Sequence, residues 1–258
     1  MKFMRSSLAR ELAGLFVNMY WNFPPALGTI ISRISSCQLN RKTCKSLEEL
    51  VDLAFSFKFI PFAPMKPYFA PFSITPAQVR EEILELLKVL MQYMPRSILE
   101  IGTARGGTLF LFSRVASPDA IIISIDLPGG PFGGGYPMWK IPIYRSFALP
   151  GQKLSLIRED SHDLRTLKIV KEILEGRKLD FLFIDGDHTY EGVKRDFEMY
   201  GPLVRKGRII ALHDIVPGPP QLVGGVPGFW NEIKQGYRYQ EIVKDWNQRG
   251  FGIGVIYT

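Results

Sequence analysis

All three histidines of the chain, His162, His188 and His213, follow apolar stretches that have the length of buried strands. Acidic residues stand at or just after the ends of these and two earlier stretches. Those acids are Glu100, Asp126, Asp160, Asp185 and Asp214. A histidine takes up a proton near neutral pH, and carboxylates attract cations and bind metal ions. The spacing therefore predicts that one face of the protein carries its chemistry.

Two of the histidines are predicted to be catalytic. His188 and His213 follow neighbouring strands, so both rings can face one pocket and serve as a proton acceptor. Together with Asp185, Asp187 and Asp214, the same two histidines could instead form an oxygen and nitrogen site for a divalent ion such as Mg²⁺, with the metal requirement left open. For His162 we predict only a hydrogen bond within its own loop.

A glycine-containing turn follows the first of the strands, in residues 100–108. Gly102 allows a tight turn, and Gly106 lets a ligand approach the free N–H groups at the start of the next helix. Ala104 stands where a G-x-G-x-x-G motif has its second glycine, and the turn lacks the Lys-Ser/Thr pair of a phosphate-binding loop, so dinucleotide binding is disfavoured. Asp126, at the end of the second strand, is predicted to accept hydrogen bonds from ribose hydroxyls; the alternative is a residue that only begins a loop.

Strands and helices must alternate to place these residues at one edge of a sheet. The apolar runs that predict strands are 97–101, 121–125, 154–157, 180–184 and 208–212. Amphipathic runs between them predict helices, and the first helix is predicted to begin at Thr75 and Pro76. The order predicts an α/β fold with a Rossmann-like, doubly wound and mostly parallel sheet. Two last runs, 239–243 and 251–257, predict an antiparallel C-terminal hairpin.

A loop rich in glycine and proline, residues 128–137, follows the second strand on the same face. We predict that it is a lid over the cofactor or the acceptor, with Tyr136, Trp139 and Tyr144 as contacts. The alternative is an insertion without a fixed structure.

Residues 1–74 are predicted to form a helical and aromatic extension, and residues 75–258 the catalytic domain. The uncharged run 12–32 has the length of a membrane span, but a Pro-Pro pair interrupts it. Residues 7–21 predict an amphipathic helix. This helix is expected to pack on the protein's own core or on a second subunit of a homo-oligomer; the alternative is peripheral contact with a membrane surface.

The net charge of +7 belongs mainly to the N-terminal part, because residues 1–58 hold eight Lys or Arg and four acidic residues. The rest is close to neutral, and no basic run is interleaved with aromatic residues, so no nucleic-acid partner is predicted. Cys37 and Cys44 are too few for a disulfide scaffold. They fit a reducing compartment, and we expect a cytoplasmic protein unless the N-terminal helix contacts a membrane.

From about Ser97 to Thr258 the chain resembles class I S-adenosylmethionine-dependent methyltransferases. It is most similar to small-molecule O-methyltransferases related to cephalosporin-hydroxylase-like and macrolide-sugar enzymes. The motifs that carry the resemblance are E-I-G-T-A-R-G-G-T at 100–108, I-D at 125–126, E-D-S at 159–161, F-I-D-G-D-H-T-Y-E-G-V-K-R-D at 183–196 and K-G-R-I-I-A-L-H-D at 206–214. The resemblance implies S-adenosylmethionine as cofactor, a small-molecule acceptor and methyl transfer to an oxygen.

The resemblance also implies where the cofactor binds. Glu100 and Gly102 would contact its amino-acid end, and Asp126 would hold the ribose. Asp160 and Ser161 would flank the adenine. With the glycine turn and the strand-four acid included, the predicted cofactor-binding residues are Glu100, Gly102, Thr103, Gly106, Asp126, Asp160, Ser161 and Asp185.

Relatives that hold a metal place carboxylates at the ends of strands four and five, which Asp185 and Asp214 match. Asp185 is thus expected beneath the methionine moiety or at a metal, and His213 stands where some relatives have a carboxylate. Two other functions stay open: a metal-dependent hydroxylase-like enzyme or hydrolase on the same scaffold, and a non-catalytic cofactor-binding module.

Overall fold

The structure is a computed structural model that describes residues 21–58, 73–130, 132 and 134–258. The predicted helix at 7–21 and most of the aromatic part of the extension lie outside the described residues. Ahead of the first gap within the chain, two helices are described, α1 (Pro25–Asn40) and α2 (Leu47–Ser56).

Seven strands form one sheet in the order β3-β2-β1-β4-β5-β7-β6. The strands are β1 (Ser97–Ile101), β2 (Ile121–Ile125), β3 (Lys153–Ile157), β4 (Leu179–Ile184), β5 (Val204–His213), β6 (Arg238–Ile242) and β7 (Ile253–Tyr257). The first five are parallel, whereas β7 is antiparallel to both β5 and β6. The predicted Rossmann-like sheet with an antiparallel C-terminal pair is therefore confirmed. Strand order reverses between β1 and β4, which is where ligands bind in such sheets.

Strands β1, β2 and β4 are buried at every residue, which explains why their sequences are almost continuously apolar. Seven helices accompany the strands after residue 73 in the described chain. They are α3 (Arg80–Tyr93), α4 (Gly107–Val115), α5 (Ile141–Arg145), α6 (Leu164–Leu174), α7 (Tyr190–Tyr200), α8 (Pro220–Val223) and α9 (Val226–Ile233). Side-chain caps fix two of the starts, because Asp163 accepts from Arg165 N and Thr189 accepts from Gly192 N.

The predicted start of the first catalytic-domain helix at Thr75 and Pro76 is wrong, because α3 begins at Arg80. The Thr75 hydroxyl donates to the carbonyl of Phe55 instead of capping a helix. The chain then passes so close to Gly107 that a Cβ there would lie 2.2 Å from the Ile74 carbonyl oxygen. These long-range contacts hold the segment out of a helix until it has crossed the start of α4.

The two faces of the sheet are covered by two hydrophobic cores. One core contains Ile98 of β1 together with Leu39 of α1 and Val51 of α2. The other contains Leu99 of the same strand with Val170 and further residues of α6, α7 and α9. The described N-terminal helices thus share a core with the sheet. A division of the chain at residue 74, a homo-oligomer and a membrane contact all stay predictions.

Helix α1 lies against the segment that follows the glycine-rich loop, and Gly28 makes the closest approach. A Cβ at Gly28 would lie 2.6 Å from the Cβ and Cγ of Trp139, which is itself buried. We therefore expect Gly28→Val to lower the free energy of unfolding by about 1–3 kcal/mol through overpacking. Urea denaturation measures the change. Ala26→Val, at an exposed position of the same helix, introduces the same β-branched side chain without the clash. Equal losses in the two variants would contradict the packing argument.

Candidate active site

The C-terminal ends of β1, β2, β4 and β5 surround a cavity of about 500 Å³. Eight of the residues predicted for the site line it. They are Gly102, Asp126, Asp160, Ser161, Asp185, His188, His213 and Asp214. The cavity lies at the point where strand order reverses, and its size is that of a pocket for a small molecule or cofactor.

Three predicted cofactor residues, Glu100, Thr103 and Gly106, do not line this cavity. Glu100 is fully buried in β1, where burial raises the pKa of its carboxyl well above the ordinary value. Thr103 is also buried and accepts the N–H of Gly106 on its carbonyl, which closes the turn. These residues therefore belong to the part of the turn that does not line the cavity. Their direct contact with a cofactor stays a prediction.

Gly102 is the residue on which the turn depends. Its φ is +94°, and a Cβ on it would lie 2.0 Å from the backbone oxygen of Asp185. The ends of β1 and β4 are hydrogen-bonded at this point, because Asp185 N donates to the Ile101 carbonyl at 2.8 Å. Only glycine fits a left-handed backbone that approaches another strand this closely.

Asp126 connects the glycine turn to the loop that follows β2. One of its carboxylate oxygens accepts N–H groups from Thr103 at 2.9 Å and Ala104 at 2.5 Å, and the other accepts from Gly135 at 2.6 Å. Burial raises the pKa of Asp126 to about 6, although these three backbone donors oppose the rise. A carboxylate has about four acceptor positions and the backbone takes three of them, so one hydroxyl group in the cavity can still donate to Asp126.

Asp185 stands at the centre of the charged end of the cavity. One of its oxygens accepts from Gln78 Nε2 at 2.7 Å, and the other lies 3.0 Å from His213 Nδ1 and 3.5 Å from His188 Nε2. Asp214 approaches the same two rings, with its Oδ2 3.4 Å from His188 Nδ1 and 3.5 Å from His213 Nδ1. Two carboxylates and two imidazoles thus form one compact group.

The carboxylates and the imidazoles of this group shift each other's pKa towards the charged forms. Burial alone raises the pKa of Asp185, but the His213 and His188 rings outweigh it and hold the pKa below its ordinary value. Burial alone lowers the pKa of His188, but Asp185 outweighs it and raises the pKa to about 9. Burial is likewise outweighed at His213, where Asp185 and Asp214 raise the pKa well above the ordinary value. The two carboxylates therefore favour the cationic, doubly protonated form of both rings.

Three members of the group match the donor set of a metal site. Asp185, His188 and Asp214 each offer one ligand atom, and these atoms lie within 4.8 Å of one another. Carboxylate oxygens with one imidazole nitrogen suit Mg²⁺, Mn²⁺ and related divalent ions. A divalent ion would also balance the charges of the two carboxylates. The residues therefore fit a metal, with His188 joining the predicted pair.

The predicted aromatic contacts of the lid are wrong. Tyr136, Trp139 and Tyr144 are buried in the hydrophobic core rather than projecting over the cavity. Tyr144 packs edge-on against Tyr136, and its hydroxyl donates to the carbonyl of Ala104 at 2.9 Å. Burying a large aromatic ring stabilises the fold more than exposing it on a loop, and the Tyr144 hydroxyl has a backbone acceptor. The loop does reach the cavity, which Gly130, Phe132 and Gly134 line.

The structure adds site residues that the sequence did not indicate. Phe132 stacks on the His188 ring with centroids 4.8 Å apart, and Gln78 fixes Asp185 from 107 positions away in the chain. Arg249 and Phe251, from the turn before β7, line the cavity with φ values of +63° and +61°. Such strained non-glycine backbone is typical of functional sites. In the sequence, the predicted C-terminal hairpin was the one signal for Arg249 and Phe251, because its turn had to lie near the end of β5.

Comparison with known proteins gives the same architecture. Residues 99–215 match the family model described as a methyltransferase domain. The uncharacterised protein R132 of Acanthamoeba polyphaga mimivirus is 33% identical over 132 residues, which are 51% of this chain and 57% of that protein. The chain thus matches little more than half the length of this curated relative.

Two solved structures share the fold over most of the chain. The O-methyltransferase from Bacillus cereus, in complex with SAH (S-adenosylhomocysteine), has a TM-score of 0.52 and 17% identity, covering 88% of this chain and 96% of that one. CalS11, a TDP-rhamnose 3′-O-methyltransferase in calicheamicin biosynthesis, has a TM-score of 0.52 and 16% identity, covering 89% and 93%.

The chain has the fold of these two O-methyltransferase structures. The match of residues 99–215 to the methyltransferase-domain model lies in the region whose motifs resemble class I methyltransferases. Within the described residues, no helix is both long and apolar enough to cross a membrane.

Proposed function

We propose that the protein transfers a methyl group from S-adenosylmethionine to an oxygen of a small molecule. The observation that carries this proposal is that two chemically different groups of residues line one cavity. The first group is the Gly102 turn, Asp126 and the Asp160–Ser161 pair, and the second is Asp185, Asp214 and the two histidines. The likeness to O-methyltransferases, one in complex with SAH and one acting on TDP-rhamnose, supports it.

The first group suits the cofactor. Asp126 accepts a ribose hydroxyl at the acceptor position that the three backbone donors leave open. Asp160 and Ser161 flank the adenine, and the Gly102 turn receives the amino-acid part, because only its missing side chain leaves the backbone accessible. The cationic sulfonium then lies towards Asp185, whose negative charge stabilises it.

The second group of residues suits proton removal from the acceptor. In the reaction an acceptor oxygen attacks the methyl carbon, the S–CH₃ bond breaks with its electron pair remaining on sulfur, and the acceptor proton leaves. His188 is the proposed proton acceptor, because a cationic cofactor beside it lowers its pKa from the value of about 9. His213 is almost fully buried and holds Asp185 in place through Nδ1.

As the alternative to proton removal by His188, we propose that Asp185, Asp214 and His188 hold a divalent ion, because an imidazole bound to a metal does not also take up the acceptor's proton. Such an ion would act as a Lewis acid that lowers the pKa of the acceptor hydroxyl. The same donor set is the feature that favours the second candidate function, a metal-dependent hydroxylase-like enzyme or hydrolase. If the metal site serves that chemistry, the protein binds the metal but transfers no methyl group.

Isothermal titration of the protein with S-adenosylhomocysteine tests the main proposal. We expect saturable binding of one molecule per chain, followed by transfer of a labelled methyl group from S-adenosylmethionine to members of a panel of hydroxylated small molecules. Absence of cofactor binding would reject the proposal. Cofactor binding without turnover on any acceptor would favour a binding module instead.

The pKa of Asp126 makes cofactor affinity depend on pH. The carboxylate accepts ribose hydroxyls better when it is ionised, and its ionised fraction grows as pH rises through about 6. We therefore expect S-adenosylhomocysteine to bind about tenfold more tightly at pH 7.5 than at pH 5, with little change above pH 7.5. Titrations at several pH values measure this, and Asp126→Asn removes the titrating group. An unchanged pH profile in that variant would show that Asp126 is not the cause.

A further inference from the structure

The loop after β3 brings a third histidine into the cavity beside the residues proposed to flank the adenine. His162 lines the cavity together with Asp160 and Ser161. The loop is fixed from within, since His162 N donates to Asp160 Oδ1 at 2.8 Å. The sequence indicated only a loop hydrogen bond for this residue, and its place in the wall is a finding of the structure.

Helix α7 holds this loop from behind. Tyr200 donates its hydroxyl to the Ser161 carbonyl at 2.6 Å, and Arg195 donates to the His162 carbonyl at 2.9 Å. The His162 ring is held as well, because Nε2 lies 3.1 Å from the carbonyl of Gly192 and 3.3 Å from Oδ1 of Asp196. Four residues of one helix therefore fix both the backbone and the ring.

Asp196 orients the imidazole ring of His162. Its carboxyl group is completely buried, and its Oδ1 lies 3.3 Å from Nε2 of His162. Because Nε2 faces two acceptors, this nitrogen carries a proton, and an imidazole with a buried carboxylate beside it favours the doubly protonated form. Side-chain hydrogen bonding to Asp196 accordingly raises the pKa of His162 despite burial of the ring. The free N–H is then on Nδ1, 3.9 Å from Asp160 Oδ1.

We propose that His162 recognises the adenine base of the cofactor. Its Nδ1 donates a hydrogen bond to a ring nitrogen, and Asp160 accepts one from the 6-amino group. Asp196 is its positioning residue. The proposal rests on the proposed function, since it assumes that this cavity binds S-adenosylmethionine. Adenine presents an amino donor next to the ring acceptor N1, which matches a carboxylate beside an imidazole N–H. Hypoxanthine presents the reverse order, a 6-oxo acceptor next to an N1–H donor, and meets two mismatches.

The test compares S-adenosylhomocysteine with its deaminated analogue, S-inosylhomocysteine, by titration calorimetry on the full chain. We expect the wild-type protein to prefer the adenine ligand. His162→Phe keeps a flat ring without the donor, and we expect it to lose about tenfold in affinity for S-adenosylhomocysteine with little change for the inosine analogue. His162→Gln can donate from its amide and is expected to restore part of the preference. Asp196→Asn is expected to lower the preference by freeing the ring.

The ratio of the two affinities is measured on one protein sample, so partial unfolding of a variant does not change it. Arg165→Gln is the control, because Arg165 is exposed on α6 close to the loop and outside the cavity wall. If the wild-type protein binds neither ligand, the proposed function fails. If it binds S-adenosylhomocysteine but His162→Phe and His162→Gln keep the wild-type preference, this inference is overturned while the proposed function stands.

Discussion

Asp185→Asn is expected to abolish methyl transfer, lowering the rate by about 10³-fold. Asp185 is the acidic residue that contacts Gln78, His213 and His188 together. The substitution keeps the shape of the side chain but removes the charge that balances two imidazolium rings, and losing one partner of a buried ion pair costs about 3–5 kcal/mol. It also removes one of the three proposed metal ligands.

Three measurements check the Asp185 prediction. Transfer of labelled methyl from S-adenosylmethionine gives the rate, and paramagnetic resonance of added Mn²⁺ gives metal affinity, which we expect to fall at least about 100-fold. The pKa of His188, about 9 with Asp185 present, is expected to fall in the metal-free variant, because the main group that raises it is gone. Proton NMR titration of the histidine rings follows this change.

Asp163→Asn is a matched control for the charge change. Asp163 caps α6 from outside the cavity, and asparagine caps a helix equally well. We expect this variant to keep the wild-type rate and Mn²⁺ affinity. If Asp185→Asn behaves like Asp163→Asn, the proposed role of Asp185 is wrong, whichever acceptor is used.

The sequence indicated the fold well because each strand is a local signal. The apolar runs of β1, β2 and β4 are visible because these strands are buried at every residue. Helix α6 also has a local signal, since Asp163 provides a cap and an apolar stripe follows it. The cavity residues could be predicted for a related reason: parallel strands end at one edge, so an acid after each strand comes near the others.

Long-range contacts were not predictable from local patterns. Glu82 lies in the first turn of α3, and its carboxylate accepts from Lys244 N, Gln248 Nε2 and Gly252 N at distances of 3.0, 2.7 and 2.9 Å, tying that helix to the turn before β7. Gln78 reaches Asp185 in the same way. No spacing in the chain reports such pairs, because the partners meet only after the sheet has formed.

Aromatic residues were placed incorrectly for a related reason. Tyr136 and Tyr144 follow a loop rich in glycine and proline, which is a signal of exposed chain. Sequence composition does not reveal that the segment turns back beneath α4, where Tyr144 contacts Gly106 so closely that a Cβ there would lie 2.7 Å from its ring. Which side of a loop an aromatic ring faces is decided by this tertiary packing, and not by the loop residues.

Gly102→Ala is expected to have the second large effect, and it tests the connection between the turn and the site. The added Cβ would meet the Asp185 carbonyl oxygen at 2.0 Å and its carbon at 2.5 Å, both of them backbone atoms. The strands β1 and β4 would have to separate, which moves the residue that carries the central carboxylate. We expect a loss of about 2–4 kcal/mol in the free energy of unfolding and no measurable binding of S-adenosylhomocysteine.

A second glycine separates this clash from the cost of the backbone conformation alone. Gly176 has φ +81°, similar to the +94° of Gly102, but nothing lies within 4 Å of a Cβ placed on it. Gly176→Ala therefore carries only the left-handed strain, about 1 kcal/mol, and is expected to keep cofactor binding. Denaturant unfolding and calorimetry on both variants decide between the two contributions. Equal losses of stability, with binding kept in both, would show that β1 and β4 tolerate the side chain and that the close approach at Gly102 does not hold Asp185 in the site.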